Sequence, residues 1–167
     1  MTKRPIFVLL SPLIRPGDAL SCFVFDDDYT FGILQSAAHW QWFIAKCSKL
    51  KSDFRYTPES VFHTFPWPQS PTKKQVDTVA AAGREIRRLR TENLPKFTGG
   101  LRALYRTLEL PGKNPLKDAH AALDATVLAA YGFSNLQSQI SNLQSPIKTR
   151  PIRRPQDRPQ TGHLSQE

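Results

Sequence analysis

The chain has 167 residues, 40% of them hydrophobic, with 14 prolines and a net charge of +9. That length suits one domain and a small fraction more, and the basic balance points to a polyanion partner, nucleic acid above all. The only cysteines, Cys22 and Cys47, form no C-x-x-C pair. Neither a disulfide framework nor a cysteine zinc site is therefore expected, and both residues read as small core hydrophobes in a reducing compartment.

Ile6–Leu10 is an apolar run behind Lys3 and Arg4, ended by Pro12, Arg15 and Pro16. A signal peptide needs roughly 7–15 apolar residues and a membrane helix about 20, so the run predicts neither, and the chain reads as cytoplasmic with no membrane partner. Ile6–Leu10 and Leu20–Phe25 instead predict two short strands around a Pro16-Gly17-Asp18 turn. Tyr29–Leu34 predicts a third strand leading into a helix. Ser36 is the expected N-cap of that helix, with Trp40, Phe43, Ile44 and Cys47 on one face and Trp42 off it. Lys49–Tyr56 reads as a loop or edge strand. In Phe65-Pro66-Trp67-Pro68, two prolines remove backbone donors and hold two rings in extended geometry, which predicts a stiff connector.

The rest of the trunk predicts helices. Val76, Val79, Ala80, Gly83, Ile86 and Leu89 make an apolar stripe over about 74–93, with Arg84, Arg87 and Arg88 along one flank. Pro95 ends that helix and Gly99-Gly100 forms a hinge. A short helix covers 101–110 and stops at Pro111-Gly112. The last covers 116–131, with Leu116, Ala119, Leu123, Val127 and Ala130 inward and Gly132 as its C′ residue. After Phe133 the chain reads SNLQSQI then SNLQSPI, a repeated heptapeptide. Residues 148–167 then carry five Lys/Arg against two acids, a net +3 that leaves +6 to the remainder. Residues 134–167 are expected to be a low-complexity disordered tail.

A search for chemistry returns no catalytic, cofactor-binding or metal constellation. His39, His63, His120 and His163 lack metal-ligand spacing, and no P-loop, G-x-S-x-G or G-x-G-x-x-G occurs. Asn114-Pro115-Leu116 lacks the second proline and the aromatic of an amino-methyltransferase motif and reads as a helix start. Asp26-Asp27-Asp28 reads as a solvated turn ahead of half a cation site. His120 and Asp124, at i and i+4, read as hydrogen-bonding residues ahead of a catalytic dyad. Basic residues interleaved with aromatics give the better signal: His39, Trp40, Trp42, Lys46, Lys49, Lys51, Arg55 and Tyr56. Such a set suits phosphate neutralisation with rings on sugars or bases, and equally suits a core with ordinary lysine dressing. For Arg84, Arg87 and Arg88 a plain charged helix face is the simpler alternative.

The order Asp27-Asp28-Tyr29-Thr30-Phe31-Gly32-Ile33-Leu34-Gln35-Ser36, His39-Trp40, Lys49-Leu50-Lys51, Phe54-Arg55-Tyr56, Phe65-Pro66-Trp67-Pro68 resembles the C-terminal region of MmeI-like DNA methyltransferases. Leu101–Tyr105, Pro111, Lys117–Asp124 and Ala130-Tyr131-Gly132 are similar to the same family's terminal helical segment. The resemblance covers roughly 5–133. It implies the later part of a DNA target-recognition domain at 1–68 and a helical C-terminal segment at 69–133, with Met1 an internal start or a fragment boundary. It also implies adenine-N6 methylation in the full-length enzymes, which bind S-adenosylmethionine through motifs this chain lacks.

The expectation is thus an α+β fold, non-catalytic alone, partnered by double-stranded DNA and by a methyltransferase catalytic domain supplied in trans. Its DNA contacts are expected from His39, Lys49, Lys51, Arg55, Arg84, Arg87 and Arg88. The competing expectations are a non-catalytic protein-interaction module and a gene remnant without function.

Overall fold

Asp27 decides the first element. Its carboxylate accepts the Thr30 N–H at 2.7 Å and starts helix α1 (Asp28–Gln35) where a strand was expected. Thr30 to Gln35 are all buried, so this stretch is covered on every side and its sequence has no visible face. A continuous apolar run of this length reads the same as a buried strand. The computed structural model describes residues 5–17, 20–50 and 53–133. The repeat and basic tail expected at 134–167 lie outside the described residues.

Ser36 ends α1 and caps α2 (Ala37–Lys46): its hydroxyl donates to the Ile33 carbonyl at 2.7 Å and accepts from the His39 N–H at 3.4 Å. Strands β1 (Ser48–Leu50) and β2 (Asp53–Arg55) follow as an antiparallel hairpin, Lys49 opposite Phe54 and Ser48 opposite Arg55. A single π turn at Pro58–Phe62 leads into the extended connector. Helix α3 (Lys73–Asn93) opens on a reciprocal capping box between Thr72 and Gln75. Helix α4 (Gly100–Arg106) and helix α5 (Pro115–Ala130) complete the trunk. Asn114 caps α5 by accepting from Leu116 and Lys117, so Asn114-Pro115 is a helix start, and Gly132 after it takes φ +84°.

Long helix α3 packs against both α1 and α5. Val79, Ile86 and Leu89 of α3 meet Phe31 and Ile33 of α1 and Leu116, Leu123 and Val127 of α5 in one buried cluster. The α1–α3 crossing is close because Gly83 faces the backbone of Asp28 and Gly32 faces Val79. Arg90 enters the same core at 6% exposure, its guanidinium donating to the Phe7 carbonyl and to the Tyr105 hydroxyl. Tyr105 in turn meets His120 Nε2 at 2.9 Å, so α3, α4 and α5 share one buried polar network. Asp124 accepts the Ala37 N–H at 2.7 Å and ties α5 to α2. His120 and Asp124 therefore serve interhelix hydrogen bonds.

Of the expected α+β fold the helical part is present: the described chain is mostly helical with one two-stranded hairpin. Residues 6–10 and 20–25 form no strand among the described residues. The side chain of Gln35 takes the place of a neighbouring strand, accepting from Phe7 N–H at 3.0 Å and donating to the Pro5 carbonyl. Cys22 is exposed and Cys47 half-buried, so neither is the core residue expected.

Candidate nucleic-acid interface

The β1–β2 hairpin projects from α2 and is held by aromatic packing. Phe43 of α2 is buried and stacks on Tyr56 at 5.5 Å, with Phe54 edge-on at 6.0 Å. His39 is fully buried. Its Nε2 lies 3.1 Å from the Tyr56 hydroxyl, and its ring meets Phe65 at 4.9 Å and Phe7 at 5.4 Å. Burial pushes the Tyr56 hydroxyl well above the ordinary tyrosine value of 10.0, so Tyr56 stays a neutral hydrogen-bonding group here. His39 therefore fixes the root of the hairpin, and a phosphate contact from it requires this core to open.

Arg55 sits at the end of β2, exposed and with no acidic partner among the described residues. Lys49 is the register partner of Phe54, which places it on the strand beside Arg55's own neighbour. Lys51 lies outside the described residues. Trp42 departs from the expected face. It is half-buried, packs edge-on to Phe65 at 6.3 Å and donates through Nε1 to the Val61 carbonyl at 3.1 Å. Lys46 lies 5.0 Å from its ring centre, a cation–π contact.

The three arginines of α3 are exposed but balanced. Arg84 and Arg87 both reach Asp28, at 3.4 and 2.5 Å. Arg88 takes Glu85 through two nitrogens, at 2.8 and 2.7 Å, and also bonds Glu92. The Glu85 carboxyl is held below its ordinary range by that hydrogen bond. Three cations thus face three carboxylates, and Asp27 and Asp28 are committed to a helix cap and an ion pair. Among the described residues, no group of three His, Cys, Asp or Glu side chains is placed to hold a metal. Sequence reading passed over a second set of exposed cations with no acidic partner among the described residues: Arg102 and Arg106 of α4, and Lys113 and Lys117 around the start of α5. Their i, i+4 spacing on α4 was the available signal.

The described residues form a mostly helical domain that carries one two-stranded hairpin, with Arg55 exposed at the end of its second strand. Residues 7–69 match the family described as MmeI, target recognition domain. The chain is 34% identical over 120 residues to DNA methyltransferase A of Bacillus subtilis (strain 168), across 72% of this chain and 13% of that protein. It also matches the solved structure of the type IIL restriction-modification enzyme MmeI in complex with DNA, with a TM-score of 0.59 and 31% identity over 71% of this chain and 15% of that one. Residues 7–69 are therefore the part of this chain that is similar to the MmeI target recognition domain. The chain spans about a seventh of the length of the relatives it matches.

Proposed function

We propose that this chain is a DNA-recognition part of a site-specific adenine-N6 methyltransferase of a restriction-modification system. It binds double-stranded DNA, and methyl transfer belongs to a catalytic domain, supplied in trans, that holds S-adenosylmethionine. The observation that carries this reading is the target-recognition match at 7–69, which contains the hairpin where Arg55 is exposed, with no acidic partner among the described residues. Lys49, Lys51 and Arg55 are the proposed phosphate contacts. Arg84, Arg87 and Arg88 are proposed as weaker contributors, since each must first leave a carboxylate. The location proposed is cytoplasmic, where bacterial DNA lies; no described helix is long and apolar enough to cross a membrane.

Titration of fluorescently labelled duplex DNA with the full chain at two salt concentrations tests the reading. The expected result is low-micromolar binding that weakens steeply with salt, because each phosphate contact releases bound counterions. Binding that is absent or indifferent to salt overturns it.

A further inference from the structure

Residues 94–117 carry five Lys/Arg against one acid, a net +4 of the chain's +9. All five cations, Lys96, Arg102, Arg106, Lys113 and Lys117, are exposed. They differ from Arg84, Arg87 and Arg88 of α3, whose charge is spent on Asp28, Glu85 and Glu92. Among the described residues no carboxylate pairs with any of the five, although Glu109 and Asp118 are close in sequence and exposed. Lys96 instead donates to the neutral Asn93 side-chain oxygen at 3.0 Å.

The fold gathers these cations. Arg102 and Arg106 lie one turn apart on α4, off the face that buries Leu104 and Tyr105. Asn114 closes the loop between α4 and α5: its Nδ2 donates to the Thr107 carbonyl at 3.3 Å and meets the Thr107 hydroxyl at 3.1 Å, while its Oδ1 accepts from the N–H groups of Leu116 and Lys117. Arg106 and Lys113, the chain neighbours of Thr107 and Asn114, are thereby held at one junction, with Lys117 on the first turn of α5. An open cavity of about 190 Å³ at that junction is lined by Asn93, Phe97, Thr107, Lys113 and Asn114 among others. Asn93 brings its partner Lys96 to the same opening.

We propose that Lys96, Arg102, Arg106, Lys113 and Lys117 form a strip that holds the phosphate backbone of double-stranded DNA, separately from the hairpin. Cations without a carboxylate partner release DNA counterions at no cost in broken ion pairs. A duplex is favoured over a single strand because the strip offers no exposed ring for bases to stack on: Phe97 is half-buried and Tyr105 is buried. The strip lies outside the target-recognition match at 7–69, and the inference rests on the reading of the chain as a duplex-DNA binder.

Salt titration of a labelled duplex tests it. Arg102→Gln with Arg106→Gln is expected to lower the slope of log affinity against log salt by about 2, and Lys113→Gln with Lys117→Gln by as much, on duplexes of unrelated sequence. Lys73→Gln with Lys74→Gln removes the same charge from exposed positions at the start of α3 and is expected to leave the slope within about 0.3 of the parent. All these positions are exposed, so melting is expected to be unchanged. Lysine acetylation of the parent chain needs no variant: duplex DNA is expected to slow labelling of Lys113 and Lys117 several-fold and to leave Lys73 and Lys74 unaffected. A parent that binds DNA with a steep salt slope while both strip pairs keep that slope overturns the strip and leaves the DNA reading standing. An equal fall in the Lys73 and Lys74 control also overturns it, because net charge alone then sets the slope. A strip that serves an acidic protein surface leaves the DNA slope unchanged and Lys113 and Lys117 unprotected by DNA, which overturns the occupant. A parent that binds no duplex overturns the DNA reading, and the strip with it.

Discussion

A methyl group at Gly83 of α3 would fall 2.7 Å from the carbonyl oxygen of Asp28 in α1. No side chain fits at that distance, so the helices approach as closely as they do because position 83 has none. The same approach brings Arg84 and Arg87 onto the Asp28 carboxylate. Gly83→Ala gains up to about 1 kcal/mol of helix propensity but overpacks the crossing by roughly 1–3 kcal/mol. The expected result is a lower urea midpoint, with Gly17→Ala, which has nothing within 4 Å, as a near-neutral control. A Gly83→Ala protein as stable as the parent would show that the crossing is not tight.

The helices at 73–93 and 115–130 were legible because each has a cap, a one-sided apolar stripe and a stop signal. Helix α1 was not, because a segment buried on every side loses the periodicity that separates helix from strand. The two N-terminal strands were expected from short apolar runs bounded by Pro, Gly and Asp, but pairing is a property of a partner, and among the described residues no strand pairs with them. At the candidate interface, sequence picks out cations without revealing their pairing. Asp28 is 56 positions from Arg84, and the balance between them is set by the helix crossing. His39 looked like a surface residue beside lysines, and the fold instead spends it inside the aromatic root of the hairpin.

Arg90 is the residue whose role sequence conceals most. It sits among exposed arginines, yet its guanidinium lies over Phe31 at 5.4 Å and Tyr105 at 5.0 Å and donates to the Phe7 carbonyl. A lysine there has no planar fork to satisfy Phe7 and Tyr105 together. Arg90→Lys is expected to lower unfolding stability by about 2–4 kcal/mol, since charge-assisted hydrogen bonds and the matching packing are both lost. Denaturation of the variant measures this, and a loss under 1 kcal/mol would place Arg90 outside the core network.

The connector predicts an ordering of two rings. Phe65 is 6% exposed and touches His39, Trp42 and Trp67, whereas Trp67 is only half-buried. Phe65→Ala is expected to cost about 3–5 kcal/mol, and Trp67→Ala less, because part of its ring is already in water. Tyr131 adds a clamp by donating to the Pro66 carbonyl at 2.7 Å, so Tyr131→Phe is expected to cost about 1 kcal/mol. Thermal melts of the three variants check the order, and a larger loss for Trp67 than for Phe65 reverses it.

Stability is expected to fall in alkali. Burial raises Tyr56, Tyr131 and Tyr29 above 10.0, with Tyr29 adding to Tyr131 and Asp27 to Tyr29. Each group holds its proton more tightly folded than unfolded. Its stabilisation is complete below about pH 10 and is lost as pH rises from there toward the folded value. Urea midpoints are expected to stay level from about pH 7 to 9 and drop above 10, with a shallower drop in Tyr56→Phe. A steeper drop in that variant contradicts the assignment.

Arg55 and Arg87 separate the two proposed faces toward DNA. Both are exposed arginines, but Arg55 has no acidic partner among the described residues and Arg87 holds Asp28 at 2.5 Å. A free cation that meets a phosphate releases one counterion, so Arg55→Ala is expected to lower the slope of log affinity against log salt by about 1. Arg87 already neutralises a carboxylate, and reaching a phosphate would strip Asp28 of its closer cation. Arg87→Ala is therefore expected to leave the slope within about 0.3 of the parent and to lower folding stability by no more than about 1 kcal/mol. Salt titrations of both variants against one duplex decide the matter. A slope that falls for Arg87 and not for Arg55 moves the interface from the hairpin to α3, because charge release then tracks the helix and its carboxylates must turn away when DNA arrives.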